Sequence, residues 1–173
     1  YNADLLSAYD YHLLFISSIE NCIETQSENY YDIFQRVTGL NYNAREYVSN
    51  LIPRPDIVKE LKIQNMIPKN TVLLHIKSST PLRSYPMPKW EKVILLLTQK
   101  GYNVGVIDAS NNSQKVNDFL AGINGLDTTK VFNFAAISHT ISHGISIFDQ
   151  CVAGITIDSS FAHVAGALRK PAV

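Results

Sequence analysis

From residue 71 onward, short apolar runs alternate with longer amphipathic stretches. "TVLLHI" (71–76), "NVGVID" (103–108), "KVFNF" (130–134) and "AGITID" (153–158) are brief, β-rich and continuously apolar, the pattern of strands buried on both faces. Between them lie "KWEKVILLLTQKG" (89–101), "NSQKVNDFLAGI" (112–123) and "TISHGISIFDQC" (140–151). "SFAHVAGAL" (160–168) follows the last of the four, and all four stretches have helical spacing. "PAV" at 171–173 opens a further apolar run. Strand–helix alternation at this spacing predicts right-handed crossovers, hence an α/β, Rossmann-like parallel sheet with helices on both faces.

The first 70 residues follow a different rule. Leu5, Leu6, Tyr9, His12, Leu13, Ile16 and Ile19 recur at three- and four-residue spacing and predict a helix over 3–25. A second helix is expected from Glu28 to Val37, ended by Gly39. Seven of the nine tyrosines fall within residues 1–47, where tyrosines on amphipathic helices suit a core or an interface. Pro53 and Pro55 extend the connector, and 56–62 can form a short helix. The expected division is therefore a helical linker, or tail of a preceding domain, over 1–70, and a Rossmann-like domain over 71–173. Tyr1 in place of Met, and a stop at Val173 just as a strand begins, read as a piece of a longer polypeptide.

Charge narrows the function. The net charge is zero and the pI about 7.1, which argues against nucleic acid or a polybasic membrane contact. Residues 1–50 hold two basic against seven acidic residues, so the remainder carries a basic excess of five, suited to a small anion or to ordinary solvated surface. Two cysteines, Cys22 and Cys151, form no disulfide framework or metal-ligand spacing, and point to a reducing compartment. No apolar run reaches the ~18 residues of a membrane span, and no basic N-terminal signal is present.

In doubly wound sheets, ligands bind beyond the carboxyl ends of the strands, which directs attention to the loops 77–87, 108–112, 134–140 and 158–163. None carries a G-x-G-x-x-G dinucleotide fingerprint, and no P-loop occurs. "IDSSFAH" delivers Asp158 at a strand end, Ser159 and Ser160 at a helix start, and His163 in the first turn. A helix N-terminus with hydroxyls suits a phosphate, and Asp158 a sugar hydroxyl. The plainer alternative is a capped helix with a core histidine. "HIKSSTPLRSYP" (75–86) offers Lys77, Ser78, Ser79, Thr80 and Arg83 on another strand-end loop: a diphosphate cradle, or exposed polar chain. His139 and His143 have helical i, i+4 spacing but no third metal ligand in sequence reach, so no metal site is expected. Cys151 reads as a small buried hydrophobe, and Ser159 lies in no G-x-S-x-G nucleophile motif.

"CVAGITIDSSFAHVAGALRKPAV" resembles the corresponding stretch of glycosyltransferase family 9, the lipopolysaccharide heptosyltransferases and their relatives. Asp158, Ser159, His163, Ala165, Ala167, Leu168, Lys170 and Pro171 fall at its pattern positions. "RSYP" stands where that family has K-x-W-P, with Arg83 for lysine and Tyr85 for tryptophan, and "PKWEKVILLLTQKGYNVGVID" resembles the helix and strand that follow. The resemblance covers about residues 71–173. Ser160-Phe161 replaces the family's frequent Gly-Pro, and "ASNNS" its Gly-rich turn.

The resemblance implies the C-terminal, donor-binding half of a GT-B fold. It implies an inverting, metal-independent transfer of a sugar from a nucleotide diphosphate to a glycan or lipid-linked acceptor, with no cofactor. Donor contacts are then expected from Lys77, Ser78, Ser79, Arg83, Asp158, Ser159, Ser160 and His163. The catalytic base is expected in an N-terminal Rossmann-like domain absent from this chain, which leaves this fragment alone inactive. The expected place is the cytoplasm or the membrane periphery. The competing expectation is a non-catalytic Rossmann-like module that binds a nucleotide or a protein.

Overall fold

A computed structural model describes residues 51–78 and 83–173. Contacts divide the chain between Val48 and Ser49, and every described residue belongs to the second unit. The helices expected over 3–25 and 28–37 lie outside the described residues, as do Ser79 and Thr80. No helix among the described residues is long and apolar enough to cross a membrane.

The order is α1 (Pro55–Ile63), β1 (Thr71–His75), α2 (Met87–Gln99), β2 (Asn103–Ile107), α3 (Ser113–Ala121), β3 (Val131–Asn133), α4 (Ile141–Gln150), β4 (Ala153–Thr156) and α5 (Ser160–Ala167). The four strands are all parallel, in the spatial order β3-β2-β1-β4. Beyond β4 the chain starts a further parallel position: Gly154 N–H donates to Pro171 O, and Thr156 N–H to Val173 O. The α/β parallel architecture expected from the apolar runs is the one observed.

Two-residue periodicity sorts the core into two layers. Val72, Leu74 and Ile76, with Val104 and Val106, meet Trp90 and Ile94 of α2 and Val116 of α3. On the opposite face Leu73 and Ile107 meet Ile57 and Leu61 of α1, Ile145, Ile147 and Phe148 of α4, and Phe161, Val164 and Ala165 of α5. Helices therefore cover both faces, and α1 contributes to the second layer.

Two strand glycines accommodate aromatic rings. A Cβ on Gly105 of β2 would overlap the Phe134 ring, and one on Gly154 of β4 would overlap Phe148. Glycine inside a strand marks such a close approach. Phe134 leaves the strand expected to include it and opens a 3-10 turn (Phe134–Ile137), because its ring turns down onto Gly105. Gly101, at φ +87°, ends α2 in a left-handed conformation that glycine adopts without strain.

The connection fixes where a ligand can enter. From β1 the chain winds outward to β2 and β3, then crosses the sheet to β4 on the other side of β1. The loops leaving β1 and β4 therefore part in opposite directions, and a crevice opens at their carboxyl ends.

Candidate functional site

β1 ends at His75, and the chain continues through Lys77 and Ser78; β4 ends at Thr156, and Asp158 and Ser159 lead into α5. Because the two strands are neighbours, both loops border one cavity of about 300 Å³. His75, Lys77, Ser78, Arg83, Asp158, Ser159 and Ser160 line it. Six of the eight residues singled out in the sequence thus converge from two distant segments. Ser79 lies outside the described residues, and His163 is not among those lining the cavity. The helix explains the latter: Phe161, Val164 and Ala165 face the core, and two residues on from Phe161 is about 200° round the axis. His163 is accordingly exposed.

Arg83 links the two loops that border the cavity. Its Nη1 lies 3.9 Å from Asp158 Oδ2 and donates to the Asp158 carbonyl at 3.4 Å. Tyr85, two residues on, sets its ring edge-on against buried Trp90 at 5.4 Å, and Pro86 precedes the first turn of α2. This tethers the loop on the far side of Arg83. The cavity holds two cations, Lys77 and Arg83, against one carboxylate, Asp158, beside the positive end of α5. The balance favours an anion.

A second cavity of about 340 Å³ adjoins the first and shares His75 and Ser160 with it. Asp108, Ser110, Ser138, Thr140 and Phe161 are among its lining residues. Asp108 stands just past the carboxyl end of β2, with Oδ1 accepting from Ala109 N–H at 2.7 Å and from Asn112 Nδ2 at 3.2 Å. An acidic residue held there can accept from a hydroxyl entering the cavity. His139 also lines this cavity, but Nδ1 of His143 pairs with Thr140 Oγ1 at 2.8 Å. No group of three or more potential metal ligands occurs among the described residues.

His75 is the residue that the sequence reading passed over. Its Nδ1 lies 2.8 Å from Ser159 Oγ, and its ring rests against Phe161 at 4.9 Å. A signal existed: a polar residue closes β1 after the apolar run Val72–Leu74, at the end where such folds bind ligands. Asp108 had the same signal.

A family model for glycosyltransferase family 9 (heptosyltransferase) matches residues 16–173, nearly the whole chain. The chain belongs to glycosyltransferase family 9. The fold agrees with solved structures: Escherichia coli ADP-heptose lipopolysaccharide heptosyltransferase II is 19% identical, with a TM-score of 0.65 over 79% of this chain and 41% of that one. A family 9 glycosyltransferase from Veillonella parvula is 13% identical, with a TM-score of 0.65 over 84% and 42%. E. coli heptosyltransferase WaaC with ADP is 11% identical, with a TM-score of 0.54 over 84% and 43%. This chain thus spans about two fifths of each of these proteins. No curated protein matches it significantly.

Two titratable groups in this family 9 chain are set by burial. Cys151 is buried with Sγ donating to Ile147 O, and burial pushes its thiol up to about 12, far from nucleophile behaviour. Burial also lowers His75 below its ordinary 6.5, partly opposed by the Asp108 charge. The unfolded chain then takes up a proton at His75 more readily than the folded one. Its contribution to stability is present above pH 6.5 and is lost as pH falls through the lower, folded value. Urea unfolding of wild type and His75→Phe across that range is expected to show the wild type losing more stability on acidification. Parallel curves would contradict this environment for His75.

Proposed function

We propose that this chain holds the nucleotide-sugar donor of a family 9 glycosyltransferase, with the diphosphate between Lys77, Arg83 and the start of α5. The observation that supports the reading most is the convergence of Lys77, Ser78, Arg83, Asp158, Ser159 and Ser160 on one cavity between β1 and β4, where the strand order reverses. The adjoining cavity then receives the nucleoside, with Asp108 at the ribose. Asp158, exposed in the first cavity, meets hydroxyls of the sugar.

The proposed reaction is a direct displacement at the anomeric carbon. The acceptor oxygen bonds to that carbon as the bond to the donor phosphate breaks, and configuration inverts. The acceptor proton passes to a base, and the electron pair leaves on the diphosphate. Lys77, Arg83 and the backbone amides of α5 stabilise that leaving charge without a metal. The base and the acceptor site belong, in this proposal, to a second Rossmann-like domain outside residues 71–173. The acceptor is a glycan or lipid-linked hydroxyl, and the reaction lies on the cytoplasmic side.

Names of the matched structures make ADP and ADP-heptose the first probes. Calorimetric titration is expected to show that the nucleoside diphosphate binds and the free sugar does not, with the monophosphate weaker by roughly tenfold for its lost charge-assisted hydrogen bonds. Equal affinity for monophosphate and diphosphate would overturn the diphosphate assignment.

A further inference from the structure

We infer that His75 is a positioning residue of the donor site: it draws the Ser159 hydroxyl off the end of α5 and turns its proton toward the bound diphosphate. This rests on the donor reading above. A serine at a helix N-cap ordinarily folds its oxygen back to accept from an amide of the first turn. Thr140 does so at the start of α4, accepting from His143 N–H. Ser159, the N-cap of α5, makes no such bond although its backbone is extended (φ −161°, ψ 177°). Its Oγ is engaged instead with His75 Nδ1 at 2.8 Å.

Two consequences follow for an anion. The first amides of α5, on Ser160 and Phe161, have no partner within the helix, and the Ser159 side-chain oxygen does not accept from the first turn. The hydroxyl also gains a direction. When Nδ1–H donates to Ser159 Oγ, the serine proton is free to point into the cavity. In the other tautomer Nδ1 consumes that proton, and oxygen lone pairs face the anion. A bound diphosphate selects the first arrangement.

The imidazole is held for this role. Its ring packs on Phe161, a core residue of α5, and it sits at the junction shared by the two cavities. Around it stand Asp108 beyond β2, Lys77 and Arg83 from the loop after β1, Asp158 before α5, and His139 across the second cavity. The neutral ring suffices, because the bond to Ser159 needs only the Nδ1 proton.

The experiment is a double-mutant cycle on the full chain, with affinity for ADP-heptose read by calorimetry and folding checked by circular dichroism. His75→Phe keeps the ring and loses the bond, and is expected to weaken binding about tenfold. His75→Asn places an amide near the Nδ1 position and is expected to stay within about threefold of wild type; it also serves if the Phe variant misfolds. In a Ser159→Ala background, His75→Phe is expected to change affinity less than about twofold, because the bond it breaks is already gone. Arg83→Ala is the control. If it weakens binding while His75→Phe does not, or if the His75 and Ser159 losses simply add, the His75 role is overturned and the donor site stands. If wild type binds no donor at millimolar concentration, the donor reading fails and this inference with it.

Discussion

Phe134→Ala is expected to lower the unfolding free energy by about 3–5 kcal/mol, the cost of emptying a fully packed aromatic site. The ring is 2% exposed and lies directly on Gly105 of β2, at the point where β3 gives way to the turn leading to Ser138 and Thr140. Gly105→Ala drives a methyl into the same ring and is expected to cost about 1–3 kcal/mol by overpacking. The two changes compensate in part, because a methyl on residue 105 occupies space that the Phe134 truncation opens. The double variant should thus be more stable than the sum of the single losses predicts. Urea denaturation of the four proteins measures this. Strict additivity would show that the ring and the glycine do not share one site.

The second large effect falls on binding. Arg83→Ala is expected to cost about 1.5–3 kcal/mol of affinity for a nucleoside diphosphate, the range of a hydrogen bond to a charged group. Arg83 is 42% exposed at its side chain, and the Asp158 carboxylate 3.9 Å away is 76% exposed, so their ion pair adds little to folding stability. Arg83→Ala should therefore weaken the ligand while leaving the unfolding midpoint nearly unmoved. Arg83→Lys keeps the charge but loses the planar fork, and is expected to fall between the two. A variant that unfolds more easily yet binds as wild type would reverse the assignment.

How much of this was legible in the sequence depends on the range of each interaction. The strands and helices from residue 71 onward were readable because their apolar periodicity is local, and all four strands and the helices between them appear where that pattern put them. Ends shifted for tertiary reasons, as at Phe134, whose ring seeks Gly105. Lys77, Ser78, Arg83, Asp158, Ser159 and Ser160 could be named because polar residues at strand ends are informative in this fold. Their convergence was expected only through the family resemblance and not from local pattern, since Arg83 and Asp158 are 75 residues apart and meet because β1 and β4 are neighbours.

Ser159 shows the same limit more sharply. Locally it is a helix cap, the plainer of the two readings open in the sequence. The bond that takes it away from that duty comes from His75, 84 residues earlier. His75 carried a local signal as the polar end of β1, but its partnership with Ser159 depends on β1 and β4 being neighbours. His163, near Ser159 in sequence, stands on the exposed face of α5 and outside the lining of the cavity.

The central claim is where the donor sits. Its most direct measurement is an amide chemical-shift titration of the isotope-labelled full chain with ADP-heptose. Saturable shifts are expected, concentrated at His75, Lys77, Ser78 and Ser159 through Phe161, with a second group at Asp108 and Ser138 through Thr140. Shifts confined to the solvent faces of α2 and α3, or no saturable shift at millimolar donor, would contradict it.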